Sequence, residues 1–395
     1  MWPAARSTDH MAELQAENKL ILLSAGTAAR RSALGERASE LTSYVDWTRL
    51  ADKLRQRRLL PTLGPRIVEL AGWRSSAGFD EAVERAISTG RRHGGFLQLV
   101  TLRAIAMLAD AGIRSIALKG PLMAEAIYGD PGRRPSTDID LLVPAKQLGS
   151  AVEVIRQLSY EAPTDHVYGS GLPLLHFVLV HERRELPAIE LHWRVHWYEH
   201  RFANERLLPP EVDPSGEWRP AAADELASLL LFYARDGFVD LRLATDLGAW
   251  WDLHGERLPA GALMGVLDAY PALVPVISAA AMVAERVVGV PSEYLLGKPV
   301  RDLRQLIAVR LANPNPHSSL SQLYADIGLI DGLLAPSGGF REWVHRQVLP
   351  PLEVLQQNAR HRPRARPRSS WSRGVGILAR YGLTLSRLAR SPESL

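Results

Sequence analysis

KGPLMAEAIYGDPGRRPSTDIDLLV, residues 119–143, sets two aspartates at the head of an apolar run. Asp138 and Asp140 stand two positions apart and run into the apolar residues Leu141, Leu142 and Val143. In a strand, residues i and i+2 point to the same face. Both carboxylates therefore share one face at the start of a buried strand, where like charges repel unless a cation neutralises them. Upstream, IRSIALKG reads as a short strand ending at Gly120. Pro121 suits the first position of a helix that Gly129 closes, and DPGRRPST reads as a loop.

Working outward, Ala145 to Leu158 reads as a helix. LLHFVLVHER and LPAIELHWRV read as two strands of a hairpin. The segments on either side have helical spacing, with Trp47, Leu50, Leu54 and Leu59 before a break at Pro61, and a separate helix from Gly95 to Asp110. The expected fold class is mixed α/β, a mixed-sheet core flanked by helical regions. The divisions are an N-terminal helical region over 1–110, a core over 111–200, a C-terminal helical region over 201–358 and a basic tail over 359–395.

The bulk properties narrow the function. The chain has 395 residues, enough for a large core, and no cysteine. Disulfides, zinc–thiolate sites and thiol catalysis are thereby excluded, and a reducing, cytoplasmic location is expected. MWPAARSTDHMAELQAENK has no apolar core, so no secretory leader is expected. The apolar stretch Leu273 to Val290 contains Glu285 and Arg286 and reads as a core helix, not a transmembrane segment. The net charge is +4, yet nine arginines and one glutamate lie from Arg360 onward, so the remainder is net negative. The basicity belongs to the tail and does not imply a general nucleic-acid surface. RHRPRARPRSSWSR reads as a disordered linker and GVGILARYGLTLSRLAR as a basic amphipathic helix; the arginine tail reads first as a solvated linker, with contact to an anionic membrane second and to RNA third.

Paired carboxylates on a strand suit nucleotidyl transfer, in which two Mg2+ ions bind the attacking hydroxyl and the triphosphate. A third carboxylate is expected on an adjacent strand, and Glu190 in AIELHWRV lies inside an apolar run where an unpaired charge is costly. His192 shares its face and reads as a donor to a carboxylate. Gly120, between a strand and a helix N-terminus, suits a phosphate turn, and Lys119, Arg133 and Arg134 supply positive charge to phosphate oxygens. His176, His181 and His196 do not have the spacing of a metal set, and Asp246 reads as a helix-packing residue bonding toward the core.

Taken together, LKG, the short helix ending in Tyr128, RPSTDIDLLVP and ELHW resemble the uncharacterised bacterial nucleotidyltransferase family of the polymerase-β-like superfamily. Trp47 and the stretch from Arg57 to Pro61 are similar to the upstream helix of that family, and Asp246 to a downstream aspartate. The resemblance implies a polymerase-β-like core, a nucleoside triphosphate as donor and magnesium held by Asp138, Asp140 and Glu190. It also implies a nucleotide turn at Gly120 with contacts from Lys119 and Arg134. Pro121 departs from the wider superfamily, where a second glycine or a serine follows the first glycine. The resemblance does not identify the acceptor, for which a small molecule or peptide is expected. A toxin-like enzyme acting on RNA or protein, or a nucleotide-binding scaffold without turnover, are the alternatives.

Overall fold

The computed structural model describes residues 16–161, 175–183, 186–312, 320–348 and 370–390. Helix α1, Trp47–Gln56, starts on Asp46, whose side chain accepts the Arg49 N–H, and buries Leu50, Ala51 and Leu54 at helical spacing. A turn over Arg57 to Leu59, with Arg58 at φ +55°, leads to α2, Leu60–Ala71, which carries Pro61 in its first turn. Helix α3 then runs unbroken from Ala77 to Asp110 over 34 residues. A separate helix from Gly95 was expected. Gly90 and Gly94 do not end the helix; they open a notch in it. A Cβ on Gly94 would lie 2.8 Å from the Pro131 carbonyl oxygen, and one on Gly90 would collide with the Gly132 backbone. The glycines are what lets the loop before Asp138 lie against α3.

The core comprises β1, Ile116–Ala117; α4, Pro121–Tyr128; β2, Asp138–Leu142; α5, Leu148–Arg156; β3, Tyr160–Glu161; β4, His176–His181; and β5, Ala188–His192. The strand order is β1-β2-β5-β4-β3. Strands β2 and β5 are parallel and the other neighbours antiparallel, so the sheet is mixed and the β4–β5 hairpin forms as expected. Alternation splits the sheet into two chemistries. Ile139, Leu141, Phe177, Leu179, Ile189 and Leu191 are buried against Leu97, Ala104, Ile105 and Leu108 of α3 and Ala151, Val152 and Ile155 of α5. Asp138, Asp140, His176, Glu190 and His192 take the opposite face.

On the polar-face side α6, Ala222–Arg235, sets Phe232 against His192, α7, Leu241–His254, packs on α6, and α8, Val274–Val288, packs on both. Helix α8 lies within the one window among the described residues that is long and apolar enough to cross a membrane, but Val276, Ile277, Val283 and Val288 are buried in the core. It is a core helix, as its sequence suggested. The same cluster joins Leu50 and Leu63 of the N-terminal helices to Phe232 and Trp250 of α6 and α7. The two helical regions thus share one core that holds the sheet between them. Helix α9, Leu320–Leu333, packs against α10, Ser370–Arg390. Most of the arginine–proline linker lies outside the described residues.

Candidate active site

The parallel pairing of β2 with β5 places Asp140 opposite Glu190 and Asp138 opposite Ala188. Asp138, Asp140 and Glu190 therefore meet on one face, which the separation of 50 residues between the last two hides in the sequence. His192 is fully buried. Its Nε2 lies 3.0 Å from Asp140 Oδ1 and 3.3 Å from Glu190 Oε2, placed to donate to a carboxylate on either side. This is the role expected of it. Lys119, one residue beyond Leu118, whose N–H donates to the Asp140 carbonyl, sets its Nζ 3.2 Å from Asp140 Oδ1.

These neighbours split the carboxylates electrostatically. Burial pushes the Asp140 carboxyl upward, but Lys119, His192 and Arg235 outweigh it and hold the group well below the usual carboxylate range. Burial also raises Glu190, and the hydrogen bond from His192 brings it below its ordinary value. Asp138 goes the other way: burial and the Asp140 charge raise it, against the pull of Lys119.

His176 was not expected here. The β4–β5 register puts it opposite His192, its ring centroid 4.6 Å away and its Nε2 3.5 Å from Glu190 Oε2. Burial and His192 push it down to about 4, leaving a neutral imidazole at neutral pH. One donor atom each from His176, Glu190 and His192 lie within 4.8 Å of one another. The sequence signal was alternation along HFVLVH, which puts His176 and Val178 on one face; the cross-strand partner was not readable. The three carboxylates share a face and repel, and Asp138 in particular resists ionising without a counter-charge, which suits a divalent cation, although the donor atoms within mutual ligating distance are those of His176, Glu190 and His192.

Gly120 has φ +98° and ψ −151°, a region in effect open to glycine alone, and opens α4 as its cap. A Cβ there would meet only Ser136 Oγ, 3.9 Å away, so the space before the turn is open. The two loop arginines are committed elsewhere. Arg134 is buried, donates through Nε to Asp246 Oδ2 at 2.7 Å and through Nη1 to Ser136 Oγ at 3.0 Å. Tyr128 donates its hydroxyl to the other Asp246 oxygen at 2.8 Å. Arg133 donates to the Thr62 carbonyl at 3.2 Å, and Thr62 returns a hydrogen bond to the Arg133 carbonyl. Arg134, expected at phosphate, instead ties the loop to α7. Asp246 is the packing residue that bonds toward the core, as anticipated. His93 adds a contact of 3.0 Å to the Ser136 carbonyl and Arg58 one of 3.2 Å to Thr137 Oγ1. The loop leading into Asp138 is held from three helices and from the turn that carries Arg58.

Aromatic Phe232 of α6 closes the polar face. It is fully buried, meets the His192 ring edge-on at 6.2 Å and carries Lys119 Nζ at 5.1 Å and the Arg235 guanidinium at 4.9 Å from its ring centre. In LASLLLFYAR these residues read as an apolar helix with a terminal arginine, and nothing in their spacing placed them over the sheet.

A family model described as an uncharacterised nucleotidyltransferase matches residues 43–287. The chain belongs to that family. It is a nucleotidyltransferase enzyme, and the matched residues run from just before α1 into the last turn of α8, enclosing the sheet and the helices that hold it. No curated protein and no solved structure matches the chain.

Proposed function

We propose that this nucleotidyltransferase moves a nucleoside monophosphate from a nucleoside triphosphate to a small-molecule or peptide acceptor, in the manner of polymerase-β-like enzymes. Asp138, Asp140 and Glu190 would hold magnesium. The observation that carries this reading is the strand register, which brings the three carboxylates onto one face. Bound magnesium would neutralise the triphosphate and stabilise the leaving pyrophosphate.

The chain's own residues supply the rest. Gly120 and the first-turn N–H groups beyond Pro121 face the open space before α4 and suit phosphate oxygens. Lys119 stands beside Asp140 with a cation for the same oxygens. His192 fixes the orientations of Asp140 and Glu190. In the reaction the acceptor oxygen bonds the α-phosphorus, the bond from that phosphorus to the α,β-bridging oxygen breaks, and pyrophosphate and the acceptor's proton are released.

The experiment is pyrophosphate release by purified protein with magnesium, one nucleoside triphosphate at a time, across a panel of acceptors. Release from one nucleotide, abolished in Asp138→Ala/Asp140→Ala, is expected. Equal release by the double variant would remove the carboxylates from the chemistry.

A further inference from the structure

Arg134 is taken by Asp246, and Arg133 gives a donor to the Thr62 carbonyl while its buried Nε has no hydrogen-bond partner among the described residues. Arg235, the last residue of α6, is largely buried, with its side chain 12% exposed. Its Nη1 is shut off from solvent and has no hydrogen-bond partner among the described residues. Its nearest acid is Asp236, at 3.6 Å from Nε. A buried guanidinium donor left unbonded is costly, so it calls for an explanation.

The surroundings supply one. The guanidinium stacks on Phe232, whose ring edge meets His192, and its charge reaches both Asp140 and His176. Through Phe232 it is placed beside His192, next to the carboxylates. Lys119 stacks on the same ring, so one buried aromatic carries two cations. A phosphate chain whose charge is partly neutralised by the carboxylate-bound cation would have further oxygens to satisfy. A planar guanidinium matches phosphate oxygens better than an ammonium does.

We propose that Arg235 is a triphosphate-binding residue, its guanidinium donating to a non-bridging oxygen of the β- or γ-phosphate while Phe232 fixes its plane and Lys119 serves the same chain of phosphates. The inference rests on the nucleotidyltransferase reading and adds the residue that holds the donor's leaving group. It also gives α6 a part in the reaction beyond packing the core.

The test is calorimetric titration of the full chain, in magnesium, with inorganic tripolyphosphate, a nucleoside triphosphate and the matching monophosphate. Arg235→Gln should weaken both triphosphate probes about tenfold or more, the scale of one charge-assisted hydrogen bond, and leave the monophosphate unchanged. Arg235→Lys should fall between, because it keeps the charge and loses the fork. It also serves as the readout if the glutamine variant does not fold. Unchanged tripolyphosphate binding in a folded variant would overturn the proposal, as would equal weakening of the monophosphate. Wild-type protein that transfers nucleotide while Arg235→Gln binds normally sinks this inference alone. Wild-type protein that binds no triphosphate sinks the nucleotidyltransferase reading with it.

Discussion

Asp138 carries the least comfortable charge on the sheet. Burial and the neighbouring Asp140 raise its affinity for a proton, while Asp140 itself is held ionised by Lys119 and His192. A carboxyl whose folded value lies above its unfolded one is favoured when neutral, so its contribution to stability falls as pH rises from the unfolded value through the folded one. Asp138→Asn should therefore raise the melting temperature of metal-free protein at neutral pH, with the gain vanishing in acid below the unfolded value. Magnesium should raise the melting temperature of the wild type and not of the variant. A variant that melts lower than wild type at pH 7 without metal would contradict this electrostatic account. The pair at Asp138 and Asp140 was legible because strand periodicity alone fixes their shared face, and Glu190 because its run was apolar. His176 and Lys119 were harder: their place beside the carboxylates depends on strand register and on where a turn delivers a side chain, and neither is written in local spacing.

Among the elements, the loop from Asp130 to Thr137 matters most to the site, since it aims Asp138. Its hold on α7 is the buried pair Arg134–Asp246, to which Tyr128 adds its hydroxyl. Removing one partner of such a pair strands a buried charge. Asp246→Ala should cost about 3–5 kcal/mol in urea unfolding, whereas Arg134→Met/Asp246→Leu should cost far less by replacing both charges with apolar groups. Comparable losses in the single and double variants would show that the loop is held by something other than this pair. Asp246 was readable as a packing residue from its helical setting. The commitment of Arg134 was not, because an arginine in a glycine-rich loop has the same sequence signature whether it meets phosphate or a carboxylate 112 residues away. The notch in α3 misled for a related reason: helix-breaking propensity and close backbone approach both call for glycine.

At the scale of the molecule, a single core runs from the N-terminal helices through α6, α7 and α8, with the sheet held between them. The alternation of helical and strand patterns was enough to place that sheet in the chain. The wrapping of the helices was not, because helical periodicity says which face is apolar and not what it meets. Helix α10 forms where a basic amphipathic helix was expected. It buries Tyr381 and bonds Thr384 to Asp326 of α9 at 2.9 Å, while Val375, Leu378 and Leu385 stay exposed. The sequence from Arg360 onward is rich in arginine, the composition on which contact with an anionic bilayer was expected. Full-length protein should co-sediment with phosphatidylserine vesicles at low salt and a chain ending at residue 359 should not; equal sedimentation of both would refute the assignment.

Asp138, Asp140 and Glu190 are proposed to hold the cations through which a nucleoside triphosphate binds. Calorimetric titration of nucleoside triphosphates into wild-type protein and Asp138→Ala/Asp140→Ala, each with magnesium and with EDTA, tests this without knowledge of the acceptor. The wild type should bind in magnesium, with binding lost in EDTA and lost in the double variant while its fold is retained. Magnesium-dependent binding of equal strength in a folded double variant would remove the carboxylates from nucleotide binding.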